Sequence, residues 1–196
     1  MYLNGLNKVL SNKKIYKFVM ALLMLHVFNP STATTEVLTI KKKENKFEIL
    51  AKFESFTNVC STWKLITSYE NLPSFLPRMV SSKILKNEGN KKVVRQVFKD
   101  NLFIFPVHVR NNFSIIEYKA DKKIIVKFLS GDLNDYYASW KITNIAGKTF
   151  ITINALITPS HAQRIFLSNK KIYNHFNEMI NSLKNKLISV HHSHDC

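Results

Sequence analysis

The chain has 196 residues, with 29 Lys and Arg against 13 Asp and Glu, a formal net charge of +16 and 45% hydrophobic residues. That length allows one ordinary domain plus an appendage, and the two cysteines form no Cys-x-x-Cys pair. The charge is mostly Lys spread along the chain, which disfavours a nucleic-acid reader built on Arg forks and aromatic platforms and fits attraction to an anionic membrane surface better.

Residues 1–33 read as a signal peptide. Met1 to Lys17 is basic and free of acids, Phe18 to Phe28 is an apolar run interrupted only by His26, and Ser31-Thr32-Ala33 supplies small residues for a cut after Ala33. The run is about half of the ~20 residues that span a bilayer, so export to the periplasm or beyond is expected. An uncleaved leader acting as a membrane anchor is the alternative. The leader has no Arg, which argues against a mitochondrial presequence.

The domain is expected over residues 34–190. Lys41 to Lys46 reads as a turn or strand edge, and Phe47, Ile49, Ala51 and Phe53 then alternate with polar residues as in a half-buried strand. Thr57 or Asn58 can cap a short helix whose inward stripe includes Val59, Trp63, Leu65 and Ile66. Pro73 and Pro77 then bracket at most one helical turn, which carries Phe75 and Leu76 to an apolar place.

Strands near Val80 to Lys86 and Lys91 to Lys99 are joined by the hairpin signal Asn87-Glu88-Gly89-Asn90. A long strand from Leu102 to about Tyr118 puts Phe103, Phe105, Val107, Val109, Phe113 and Ile115 on one face, broken at Asn111. Pro106 places part of it at a sheet edge or bulge. Alternation continues through Ile124, Val126 and Phe128, then Tyr136, Ala138, Trp140 and Ile142, then Thr149 to Ile157. From His161 to Ser189 the period turns helical, with Ile165, Ile172, Phe176, Met179, Leu183 and Leu187 on one stripe. The order predicts an α+β fold in which a curved antiparallel sheet of about seven strands wraps a long C-terminal helix, with one or two short helices after strand 1.

Catalytic chemistry is sparse. His108, His161 and His175 read as structural or exposed, and Asp132 and Asp135 as turn residues, so no catalytic residue is assigned. No cofactor and no metal site are expected, and the flexible His-rich tail, residues 191–196, would hold metal only weakly. An oxidising compartment permits a bridge between Cys60 and Cys196, but Cys60 reads as a small buried apolar residue on the first helix. The stronger constellation is apolar: Phe75, Leu76, Phe103, Phe105, Phe113, Phe128, Trp140, Phe176 and Met179 converge if the sheet curls around the helix. Tyr136, Asn111 and Thr149 fall on the same inward faces and can orient a polar head.

The segment carrying Trp63, Tyr69, Leu72, Pro73, Phe75, Leu76 and Pro77 resembles the START-like (helix-grip) superfamily, in its coenzyme Q-binding and polyketide cyclase/dehydrase-like branch. The similarity continues through Gly131-Asp132 and Ala138-Ser139-Trp140 to the C-terminal helix, covering most of the chain after Phe47. The resemblance implies the helix-grip fold and a hydrophobic small-molecule partner, lipid or quinone-like, bound between sheet and helix. With so thin an acid–base inventory, the expected function is an exported carrier whose ligand-binding residues are Phe75, Leu76, Phe103, Phe105, Phe113, Phe128, Tyr136, Trp140, Phe176 and Met179. A polyketide cyclase/dehydrase-like enzyme is the alternative.

Overall fold

The computed structural model describes residues 36–102 and 105–190, with side chains except at 101–105. The leader, the tail, Phe103 and the Phe105 side chain therefore lie outside the described residues. Eight antiparallel strands form one unclosed, curved sheet in the order β1-β2-β8-β7-β6-β5-β4-β3. They are β1 (Val37–Lys43), β2 (Lys46–Glu54), β3 (Met79–Glu88), β4 (Lys91–Leu102), β5 (Phe105–Tyr118), β6 (Lys123–Gly131), β7 (Asp135–Ile145) and β8 (Lys148–Thr158). Helix α1 (Val59–Thr67) and a 3₁₀ helix (Tyr69–Ser74) connect β2 to β3, and α2 (His161–Arg164) and α3 (Asn169–Val190) close the domain.

Alternation places the core. Phe47, Ile49, Ala51 and Phe53 of β2, with Ile151, Ile153 and Ala155 of β8, are buried in one cluster with Ile172, Phe176, Ile180, Leu183 and Leu187 of α3. Fully burying each Ile, Leu or Phe side chain contributes about 1.5–3 kcal/mol, which holds the helix against the sheet. Register shifts in β3–β4 and at Asn112/Phe113 in β5–β6 bend the sheet. Pro106 is tolerated because β6 pairs with β5 only from Asn111 onward, so the first turn-proximal residues of β5 have β4 alone as neighbour.

Three details depart from the sequence expectation. An additional strand, β1, precedes the first expected one, and its pattern was masked because its last three residues are all exposed lysines. The C-terminal helix is not continuous from His161: Ser168 accepts the Lys171 N–H at 3.2 Å through its hydroxyl and the Ile172 N–H at 3.0 Å through its carbonyl. Ser168 thus starts α3 afresh, and Ile165, expected on the buried stripe, sits in the intervening turn at 74% exposure. The helical turn expected between the prolines runs instead from Tyr69 to Ser74, with Pro73 inside it and Phe75 and Leu76 following it. Both donate their N–H to the Leu72 carbonyl, at 3.2 and 2.9 Å.

Helix α1 begins as expected, with the Asn58 side chain accepting the Ser61 N–H at 2.7 Å. Cys60 in its first turn is half-buried and disulfide-bonded, rather than the free apolar residue expected; the sequence holds one other cysteine, Cys196, outside the described residues.

Candidate ligand cavity

A cavity of about 680 Å³ lies between the inner face of the sheet and α3. Of the residues singled out from sequence, Leu76, Phe113, Tyr136, Trp140, Phe176 and Met179 line it. Phe113 and Tyr136 meet as a tilted pair with ring centroids 5.3 Å apart. Phe75 and Phe128 do not line it; both are half-buried and pack against the core around it. Phe75 follows the end of the 3₁₀ helix and turns away, while Tyr69 and Leu72 of that helix and Leu76 and Pro77 after it line the cavity. The inward positions of β4 and β5, among them Phe98, Val107 and Val109, add wall that the sequence reading had not separated from plain core.

The polar groups on the wall differ in role. Asn111 is 2% exposed, and its side-chain oxygen accepts the Leu133 N–H at 3.1 Å. Asp132 accepts the Arg110 N–H at 2.7 Å and donates its own N–H to the Arg110 carbonyl at 3.0 Å, so it pins the β6–β7 loop to β5. It forms no acid–base pair with Asp135, which accepts the N–H of Tyr136. Gly131 makes this approach feasible. With φ +142°, an added Cβ would run into the Arg110 carbonyl and lie 2.6 Å from the Asn111 side-chain oxygen. Gly131→Ala should therefore cost about 3 kcal/mol in urea denaturation, and a loss under about 0.5 kcal/mol would contradict this packing.

Tyr136 is half-buried and opens onto the cavity; burial pushes its phenol up to about 12. Tyr69, also on the wall, donates its hydroxyl to Glu117 at 3.0 Å, and burial, reinforced by the Glu117 charge, raises its phenol far above the usual range. Lys92 donates to the same Glu117 oxygen at 2.7 Å. Glu117 continues the inward alternation of Phe113 and Ile115, the signal that would have exposed it in the sequence.

A second polar group joins His175, expected from sequence to be structural or exposed, to partners that the sequence did not single out. Arg78 makes a forked pair with Glu178 of α3, at 2.7 and 3.1 Å, and reaches Asp100 at 3.5 Å. Asp100 also meets Lys171 at 3.2 Å and His175 Nε2 at 3.6 Å. Arg78, Asp100, Lys171 and His175 all line the cavity. Desolvation, with Arg78 next in importance, holds His175 below its ordinary value, so the imidazole is neutral at pH 7. The partners lie up to 100 residues apart in sequence, and no local pattern links them. Among the described residues no cluster of His, Cys, Asp or Glu could hold a metal ion.

The family described as polyketide cyclase/dehydrase and lipid transport matches residues 58–170, more than half of the chain. Comparison with curated proteins finds no match. Among solved structures, a START superfamily protein from Mycobacterium smegmatis aligns with TM-score 0.60 and 10% identity over 73% of this chain and 98% of its own. The Zhui aromatase/cyclase from a Streptomyces species aligns at 0.59 and 9% over 76% and 97%. A STAR-related lipid transfer protein from Xanthomonas axonopodis aligns at 0.56 and 12% over 78% and 98%. At these identities the structural likeness establishes the fold, and the family match goes further: this chain belongs to the polyketide cyclase/dehydrase and lipid transport family, on a START-like helix-grip fold.

Proposed function

We propose that the protein is an exported carrier that holds a lipid- or quinone-like molecule between the sheet and α3 and makes transient contact with anionic membrane surfaces. The observation that carries this reading is the cavity of about 680 Å³ with mainly apolar walls, within the ~300–1,000 Å³ typical of small-molecule sites. The family description, which includes lipid transport, supports it, as does the fold shared with a STAR-related lipid transfer protein. Leu76, Phe113, Tyr136, Trp140, Phe176 and Met179 are its ligand contacts, with Phe75 and Phe128 backing the wall. The leader over residues 1–33 and the disulfide-bonded Cys60 support an oxidising compartment.

A cyclase/dehydrase-like enzyme is the second reading, favoured by His175 and Asp100 on the cavity wall. Titrating the delipidated protein with Nile red tests the carrier reading: saturable, blue-shifted emission is expected, and its absence would sink the proposal. The two readings part on the fate of the natural ligand, which a carrier returns unaltered and an enzyme returns as product.

A further inference from the structure

Two polar side-chain atoms on the cavity wall have no hydrogen-bond partner among the described residues: Asn111 Nδ2 on β5 and the Tyr136 hydroxyl on β7. Asn111 is only 2% exposed, and its side-chain oxygen already accepts the Leu133 N–H at 3.1 Å. Only the oxygen of an amide can accept that bond, so the orientation of the group is fixed and the NH₂ is its free end.

Neither atom is sealed off. The wholly enclosed side-chain atoms that lack a partner among the described residues are Thr57 Oγ1, Thr158 Oγ1 and His175 Nε2. Asn111 Nδ2 and Tyr136 Oη are not of that kind, so they keep open surface, in two residues that line the cavity. Asn111 and Phe113 are two apart on one face of β5, and the Phe113 ring packs against that of Tyr136 with centroids 5.3 Å apart. The two groups therefore flank the same aromatic ring.

Both offer hydrogens. The amide nitrogen can only donate, and the phenol, pushed up to about 12 by burial, keeps its proton at neutral pH. Charge leans the same way. The charged residues on the cavity wall are four cations, Arg78, Lys99, Arg110 and Lys171, and two carboxylates, Asp100 and Asp132, which favours an electron-rich oxygen over a cation. A carbonyl oxygen has two lone pairs and can accept from both donors, whereas a plain hydrocarbon would cover them and leave both unsatisfied.

We propose that Tyr136 Oη and Asn111 Nδ2 form a donor pair that holds a carbonyl oxygen of the ligand beside the Phe113 ring. The assignment rests on the carrier reading and narrows its ligand to a lipophile that bears a carbonyl group.

The test compares decan-2-one with decane, which differ in one carbonyl, as competitors of Nile red on the delipidated protein, with the affinity of the dye measured for each variant. Tyr136→Phe removes one oxygen and should weaken decan-2-one about fivefold while leaving decane unchanged. In the wild-type protein the side-chain amide proton signals of Asn111 should move downfield with decan-2-one and stay in place with decane, a readout that needs no variant. Unmoved amide signals, or equal losses for ketone and hydrocarbon in Tyr136→Phe, would overturn the donor pair and leave the carrier standing. If neither the dye nor either competitor binds, the carrier reading fails and the donor pair with it.

Discussion

Val126→Trp is expected to abolish Nile red uptake, at least a tenfold loss, while the melting temperature holds or rises. Val126 sits on β6, paired with Ile115 of β5 and Ala138 of β7, and its half-buried side chain faces the cavity. Overpacking a dense core costs about 1–3 kcal/mol, but here the indole enters the void and gains apolar contacts. Ligand and indole then compete for the same space. Unchanged uptake with a folded variant would mean that the cavity is not where the dye resides.

Lys92→Met should destabilise the protein by about 3–5 kcal/mol, the cost of leaving a buried charge without its partner. Lys92 and Glu117 are 12% and 4% exposed at the side chain and 2.7 Å apart, and Tyr69 shares the carboxylate at 3.0 Å. The triad ties the 3₁₀ helix bearing the cavity wall to β4 and β5, so its loss should loosen the Tyr69–Ser74 segment first. Glu117→Gln in the Lys92→Met background should restore a large part of the loss, because the uncompensated charge is gone. Urea denaturation of the single and double variants gives both numbers. A single-variant loss under about 1 kcal/mol, the worth of an exposed pair, would contradict the buried triad.

These two sites mark what the sequence could and could not disclose. Period-two patterning placed Phe47 to Phe53, Phe113, Ile115, Trp140 and Ile151 to Ile157 on the inner face, and the structure buries or half-buries each of the named apolar residues there. The same alternation carried Glu117 inward, but a lone carboxylate in an apolar register looks like a strand end until Lys92 and Tyr69 are seen around it. Arg78 lies in the turn before β3, Asp100 on β4 and Glu178 on α3, three places that meet only after folding, so their pairing has no local signal. Helix periodicity ran through Ile165 because stripe spacing ignores the hydroxyl cap at Ser168, which restarts the helix and turns Ile165 outward. Phe75 failed to reach the cavity for a similar reason: the two prolines bound the segment without determining which of its apolar side chains turns inward.

On the proposed carrier function, the cavity of about 680 Å³ holds an apolar molecule in the protein's native setting. Mass spectrometry of organic extracts from wild-type and Val126→Trp protein, purified side by side from the native host, addresses it most directly. One class of lipophile is expected to be enriched near stoichiometrically with the wild type and absent from the variant. No enriched lipophile with the wild type, or equal amounts with both, would contradict it.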